Sequence, residues 1–451
     1  MRGALLVSLI ALVTGCGGGA AGDLAAPVDA ATPEDCAGAA AVVPDGGDLS
    51  AGLVWMRRDG MPSAWAAGTG VATDRAGNVF VVGHSDACVD GITCTPAVSD
   101  YFLTSWDAAG NHRWTAEAAT VQDCSNLGVT YWATIGARAV ATDAAGNVFL
   151  TGDTGLALAP AEGNKKAGST DIFVASYDPT GHERWTRQLG GPTIMEHAAG
   201  NGVATDGAGN VYVTGFTEGV LDGKPRTVAA GGAAFLLSYD GAGNLRWLRQ
   251  LSASGSGLGV ATDGAGNVVV VGWAVGSIGD PAAGVNGSFV ASFDGDGNLR
   301  WVRGPGGASV ATDRAGNIYV AGTTSGELAN RNPCSVSDAF LVSYDSAGNQ
   351  RWLRQPGSPR WSTGDGVATD GSGNVFLVGR SGVGPDGEVV EGGPAAFFLM
   401  KFDSVGSRAW TRLPGPNVSG FASGVATEGA GGVYVAGGRD SYFLAKFTAN
   451  P

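Results

Sequence analysis

Short apolar runs recur along the whole chain, and each is cut off by a polar, glycine-rich step. Val211-Tyr212-Val213-Thr214-Gly215 and Phe235-Leu236-Leu237-Ser238-Tyr239 are typical. β-Branched and aromatic residues dominate these runs, their length suits a strand, and a helical reading has little support. The steps are as regular as the runs. In Asp240-Gly241-Ala242-Gly243-Asn244 and Asp263-Gly264-Ala265-Gly266-Asn267 an aspartate can accept hydrogen bonds from the turn amides while a glycine takes positive φ, which closes a hairpin.

The pattern has a period. Gly70-Val71-Ala72-Thr73-Asp74 returns at 139–143, 202–206, 259–263, 309–313, 366–370 and 424–428, seven copies in all. Each unit reads as four strands. Strand A ends in the Val-Ala-Thr segment, B follows the first Gly-Asn, C is the next apolar run, and D follows the second Gly-Asn with its Arg-Trp-x-Arg segment. The seventh copy ends on Glu428 and has Gly431-Gly432 where the others have Gly-Asn. Units of this kind predict an all-β chain folded as a single seven-bladed β-propeller of four-stranded blades. The small Ala72, Ala141, Ala204, Ala261, Ala311, Ala368 and Ala426 suit the crowded inner strand.

Strand-D tryptophans stand at 55, 114, 185, 247, 301, 352 and 410, one ahead of the first unit, whereas the last unit stops at its C strand, Tyr442 to Phe447. The N-terminal strand around Leu53-Val54-Trp55-Met56-Arg57 is therefore expected to complete the last blade, giving a propeller over residues 53–451.

The units resemble the SBBP family of bacterial β-propeller repeats, through GVATDxxGNVYVxG followed by FLxSYDxxGNxRWxR, over residues 53–448. The resemblance implies a propeller in an exported or cell-surface protein and assigns no chemistry. The segment Ala242-Gly243-Asn244-Leu245-Arg246-Trp247 is also similar to the tryptophan-docking repeats of quinoprotein dehydrogenases and of a propeller lipoprotein in outer-membrane protein assembly. Those proteins have more blades and a longer Asp-to-Trp spacing.

The N-terminus carries a different message. Met1-Arg2, an apolar run from Ala4 to Val13, and Val13-Thr14-Gly15-Cys16 read as a lipoprotein signal peptide over residues 1–15, with a segment resembling a lipobox. Cys16 is the expected lipidation site, and residues 16–52 form a lipidated Ala/Gly/Pro-rich tether. The expectation is an exported protein, lipid-anchored to the bacterial envelope at the outer membrane or cell surface. Of the six cysteines, five remain beyond Cys16; Cys88, Cys94 and Cys124 fall in neighbouring loops and are the candidates for disulfide bonding.

A formal charge of -14 disfavours a nucleic-acid partner. There is no Cys-x-x-Cys pair, and the four histidines, His84, His112, His182 and His197, are scattered, so neither metal nor cofactor is expected. The recurring aspartates read as turn caps, since no glutamate stands at the closing ligand position of a calcium loop. No nucleophile elbow, HExxH segment or phosphate loop is present, and the chain is read as a non-enzyme with no catalytic residues.

Strand alternation puts the uniform A–B and C–D turns on one face and the long, variable B–C loops on the other. The tryptophans outside the repeat, Trp65, Trp132, Trp273 and Trp361, and Tyr131 beside Trp132, fall on that variable face and are the candidate binding residues. His84 opens the first B–C loop. Arg187, Arg249, Arg303, Arg354 and Arg412 follow the strand-D tryptophans and read as charges that keep outer strands from pairing edge to edge. These features predict a monomeric, surface-tethered binding or structural scaffold for a protein or polysaccharide partner. An envelope assembly factor is the alternative, and a lyase or quinoprotein-like enzyme the third reading.

Overall fold

The computed structural model describes residues 52–59, 66–85, 100–117, 135–155, 170–190, 196–219, 232–252, 254–278, 284–326, 337–356, 361–382, 396–412, 420–429, 431–438 and 442–450, with single residues 158, 221 and 328. They form seven four-stranded antiparallel sheets, and no helix occurs among them. Strand β1 (Leu53–Asp59) opens the described chain. Blade 1 is β2 (Ala66–Thr73), β3 (Val79–Ser85), β4 (Asp100–Trp106) and β5 (His112–Glu117); blade 2 is β6 (Ile135–Thr142), β7 (Val148–Thr154), β8 (Asp171–Tyr177) and β9 (Glu183–Leu189). Blade 3 is β10 (Ala198–Thr205), β11 (Val211–Thr217), β12 (Ala233–Tyr239) and β13 (Leu245–Gln250); blade 4 is β14 (Ser254–Thr262), β15 (Val268–Ser277), β16 (Gly284–Phe293) and β17 (Leu299–Arg303). Blade 5 is β18 (Ser309–Thr312), β19 (Ile318–Thr324), β20 (Asp338–Tyr344) and β21 (Gln350–Arg354); blade 6 is β22 (Ser362–Thr369), β23 (Val375–Ser381), β24 (Ala396–Phe402) and β25 (Arg408–Arg412). Blade 7 combines β26 (Phe421–Glu428), β27 (Gly432–Gly438) and β28 (Tyr442–Thr448) with β1.

The seven-bladed propeller and its clasp are thus as the sequence predicts. β1 pairs antiparallel with β28, from Leu53 opposite Phe447 to Asp59 opposite Tyr442. Residues 1–51, over which a signal peptide, the Cys16 lipidation site and a tether are expected, and Cys88, Cys94 and Cys124 lie outside the described residues.

Strands β8, β12 and β20 are buried along their whole length. The reason is that both faces of a blade are covered by its neighbours, so the apolar runs are continuous rather than alternating. Each core cluster accordingly spans two blades. Phe80 and Leu103 pack with Ile135, Val148 and Phe173, and the ring closes where Val79 and Phe102 meet Tyr434, Tyr442 and Leu444.

Three repeated devices hold the blades in register. In the turns, Asp240 Oδ1 accepts from the backbone N–H groups of Ala242 and Asn244, both at 2.9 Å, and Gly243 sits at φ +82°. At the inner strands, the threonine of each Val-Ala-Thr segment donates its hydroxyl to the carbonyl of the preceding blade's equivalent threonine, at 2.6–2.8 Å. Thr142 bonds Thr73, Thr205 bonds Thr142, and so on around to Thr73, which bonds Thr427 and completes a circle of seven.

The third device lies at the outer strands. The indole N–H of Trp185 donates to Gly241 O on the next blade at 3.1 Å, and Trp55, Trp114, Trp247, Trp301 and Trp352 do the same to their own following blades. The arginine two residues on lies over the same indole and donates to that turn as well: Arg187 Cζ is 5.5 Å from the Trp185 ring centroid and its Nε is 2.8 Å from Gly243 O. This corrects the reading of Arg187, Arg249 and Arg354 as guards of an open edge, because each is spent on bracing the next blade.

Two outcomes follow. Deleting residues 53–58 strips the outer strand from blade 7 and is expected to lower the calorimetric melting temperature by at least about 10 °C, far more than deleting 17–50; equal losses would contradict the clasp. Acid should also weaken the fold. The amide side chains of Asn244, Asn298 and Asn349, with the backbone N–H of the same residues, hold Asp240, Asp294 and Asp345 below the usual carboxylate range. The Thr180 hydroxyl and the His182 N–H take Asp178 down to about 2. A folded-state pKa below the unfolded value of about 3.9 means stabilisation that is complete above pH ~4 and lost from there toward pH ~2. Asp240→Asn is expected to flatten that loss in urea unfolding measured across pH, and an unchanged slope would exclude the turn carboxylate as its source.

Candidate functional site

On six of the seven blades strand A carries an irregularity at one place. Its register against B shifts between Gly68 and Gly70, Ala137 and Ala139, Gly200 and Gly202, Gly257 and Gly259, Gly364 and Gly366, and Ala422 and Gly424. The cause is a glycine on strand B. A Cβ at Gly83 would overlap the carbonyl oxygen of Ala67 and run into the Phe102 ring, and Gly152, Gly215 and Gly379 repeat the arrangement. Strand A therefore folds over B at this glycine, and one residue per blade is squeezed out of the ladder. Those residues are Thr69, Arg138, Asn201, Leu258, Asp365 and Ser423, all different.

Because the A strands touch one another around the axis, the squeezed-out side chains meet across blade boundaries. Thr69 Oγ1 donates to Ala137 O at 2.7 Å. Arg138 Nη1 donates to Asn201 Oδ1 at 3.0 Å, and Asn201 Nδ2 donates to Ser256 Oγ at 3.1 Å and Gly257 O at 2.8 Å. The residue after the strand-B glycine is equally non-repeating: His84, Asp153, Phe216, Trp273, Thr323, Arg380 and Gly438.

Two ion pairs join these rings. Arg138 Nε lies 2.7 Å from Asp153 Oδ1 on blade 2. On blade 6 the signs are exchanged between the strands, with Arg380 Nε 2.8 Å from Asp365 Oδ2, Arg380 Nη2 3.3 Å from Asp365 Oδ1, and the Thr363 hydroxyl donating to Asp365 Oδ2 at 3.1 Å. The carboxylates are 18% and 20% exposed and the guanidiniums 45% and 37%, so the cations face water while the anions orient them from below. Pairs this exposed add little to stability. What they supply is directed donors at the loop-face end of the central opening.

The opposite face is chemically occupied. A cavity of about 920 Å³ opens among the A–B turns, lined by Thr73, Asp74, Arg75, Asp143, Arg314 and Glu428 among others. Asp74 and Asp143 are bonded to their own turn amides and asparagines, and Glu428 to the Tyr434 hydroxyl and, at 2.8 Å, Lys446 Nζ. Among the described residues, no group of three or more His, Cys, Asp or Glu is disposed to hold a metal ion.

Of the residues singled out from sequence, Trp273 lies on β15 rather than in a loop; it is 42% exposed and pairs in register with Ser256 and Ser288. Trp361 is half-buried and bridges to Ser337, and its carbonyl accepts from Gly382 N and Ser381 Oγ, both at 3.2 Å, so it pins a connection between blades 5 and 6. The two stand on different blades. Trp65, Tyr131 and Trp132 lie outside the described residues. His84 is on β3 rather than in the loop, opposite Ala67. The Arg138–Asp153–Asn201 group on blades 2 and 3 and the Asp365–Arg380 pair on blade 6 were not singled out from the sequence. Their signal is the residue just before each Gly-Val-Ala-Thr-Asp block, which reads Thr, Arg, Asn, Leu, Ala, Asp, Ser down the seven copies.

The β-propeller repeat model of the SBBP family matches residues 184–222 and 307–329. No curated protein matches the sequence. Among solved structures, a chain of the mitotic checkpoint complex is similar at 11% identity and TM-score 0.49, with 96% of this chain and 99% of that one covered. The Neurospora crassa Pan2 WD40 domain is similar at 9% identity and TM-score 0.47, covering 85% and 90%. A polysaccharide lyase described as a PL25 ulvan lyase is similar at 12% identity and TM-score 0.47, covering 86% and 95%. The matched segments, which resemble the SBBP β-propeller repeat, lie in one closed ring of seven four-stranded blades.

Proposed function

We propose that the protein is a binding scaffold that presents the loop-face mouth of its propeller to a protein or polysaccharide partner while its N-terminal segment anchors it to the envelope. The observation that carries this reading is the placement of variation. The Gly-Val-Ala-Thr half of strand A is nearly uniform from blade to blade, whereas the squeezed-out residue just before it varies and lies toward the variable strand-B ends. Arg138 and Arg380 offer donors suited to carboxylates or sugar hydroxyls, and Trp273 adds an exposed aromatic face on blade 4.

The anchor geometry supports the same orientation. Gly52 O accepts from Thr448 N at 2.8 Å, at the end of β28 that lies beside the start of β27. The chain thus enters the propeller on the A–B and C–D turn face. A lipid at Cys16 would hold that face toward the membrane and turn the mouth away from it.

The mouth is read as non-catalytic. Among the described residues there, Asp153 and Asp365 are each held by an arginine rather than poised as a general base.

Cross-linking on intact cells followed by capture tests the reading. The joint change Arg138→Ala and Arg380→Ala is expected to lower partner recovery at least tenfold, with the melting temperature within about 3 °C of the parent. Arg75→Ala with Arg314→Ala on the turn face is expected to leave recovery unchanged. Loss through the turn-face pair and not the mouth pair would place recognition on the other side.

A further inference from the structure

Blade 5 departs from the other six in its inner strand. β18 has four residues, where the inner strands of the other blades have eight or nine. It pairs with β19 only from Ser309 opposite Ala321 to Thr312 opposite Ile318, without the register shift of the others. The cause lies in the approach. Gly304-Pro305-Gly306-Gly307 crosses from blade 4 pressed against it: Gly306 N donates to Ser288 Oγ at 3.2 Å, a Cβ on Gly306 would overlap Phe289 O, and the Tyr344 hydroxyl donates to Pro305 O at 2.8 Å. The chain therefore joins the inner strand only at Ser309, and the half of strand A on the loop-face side is missing.

The gap leaves two groups uncovered. The first is main chain. β19 runs on to Thr324 and is paired there on its outer side, with Gly322 to Thr324 opposite Phe340 to Asp338. Ala308 N donates to Ala321 O, so the polar groups of residue 321 point to the inner side, and by strand alternation those of Thr323 do too. No described strand faces them, and Thr323 is exposed. Its hydroxyl is engaged elsewhere, accepting from Gly364 N at 3.3 Å.

The second group is apolar. Val269 and Val271 of β15 pack on Ile318, Val320 and Phe340 of blade 5, and Trp273 and Val275 continue the same alternate row toward the loop face. On blade 6 the residue matching Trp273 is Arg380, whose Cζ lies 5.1 Å from the ring centroid of Phe421, the first residue of the next blade's strand A. Blade 5 has Gly306 in the place of Phe421 and no strand at that height. Trp273 is accordingly 42% exposed and Val275 54%.

We propose that this gap is a strand-wide docking slot, and that its occupant is an extended polypeptide segment of a protein partner that supplies the missing half of strand A. Its main chain pairs with the Thr323 N–H and C=O, and an apolar side chain of the segment lies on Trp273 and Val275. A polypeptide is favoured over a sugar because the open groups are a donor and an acceptor on one strand edge, placed as six other blades use them for their own strand A. Trp273, Val275, Ser288, Gly306, Gly307 and Thr323 carry no charge, so the segment is uncharged where it meets them. The inference deepens the proposed function: it rests on the loop face being the recognition surface and commits that surface to a protein partner.

The probe is a library of displayed random linear peptides selected on the immobilised full chain. Selected peptides are expected to carry an aliphatic or aromatic residue, to slow amide exchange at Thr323 when bound, and to bind at least tenfold more weakly to Trp273→Ala. N-methylation of the peptide amide that pairs with Thr323 O should abolish binding, while Arg75→Ala with Arg314→Ala on the turn face should leave it as in the parent. The proposal is overturned if no selected peptide protects Thr323, if N-methylation is without effect, or if neutral oligosaccharides bind through Trp273 where no peptide does. Peptides that survive Trp273→Ala but are lost with Arg138→Ala and Arg380→Ala overturn the slot and leave the loop-face reading standing. Peptides lost only through the turn-face pair overturn both.

Discussion

Seven threonine hydroxyls, each hydrogen-bonded to the main chain of the blade before it, tie the inner strands into a circle with no free end. The other regular features depend on this closure. It fixes the relative height of neighbouring blades, so that on six of them a strand-B glycine faces a strand-A carbonyl and on six a strand-D tryptophan reaches a turn on the next. The threonine donates and is paired, and the carbonyl that receives it is otherwise without a strand partner on that side. A single interaction repeated this way satisfies both the side chain and the exposed inner edge.

A closed ring built from one linear chain must still be cut somewhere, and the cut falls in the C–D turn of blade 7. The repeat adapts around it. Blades 1 to 5 keep a serine–arginine pair between strands C and D, whereas blades 6 and 7 place Lys401 and Lys446 at the serine position. Lys446 reaches Ala108 O on blade 1 at 3.0 Å and Glu428 at 2.8 Å, and Lys401 reaches the tail after β28. Both lysines span a distance that a serine cannot, which marks the seam as the place where the sequence departs from its own repeat for structural reasons.

Much of the fold was legible in the sequence because it rests on side chains that recur. Val-Ala-Thr-Asp and the offset of Trp55 to the front of the chain are enough to count the blades and to pair β1 with β28. The braces were misread because their acceptors are main-chain carbonyls such as Gly243 O and Gly406 O, which carry no residue identity and lie on another blade. Arg138 and Asp365 were missed for the opposite reason. A search for repetition keeps what recurs, and a bulge residue is the position that does not; its direction becomes clear only once the strand-B glycine shows why strand A must fold over it.

The central claim is that the inner threonine circle carries stability that the exposed ion pairs of the mouth do not, and comparing two variants by differential scanning calorimetry tests it most directly. Thr205→Val keeps the shape but leaves Thr142 O without its donor, which corresponds to about 1 kcal/mol and a clear drop in melting temperature. A variant with Arg138 and Arg380 both changed to alanine, which removes the exposed ion pairs of the mouth, is expected to melt within about 3 °C of the parent. If the mouth variant melts far below the parent while Thr205→Val does not, the division of labour is wrong.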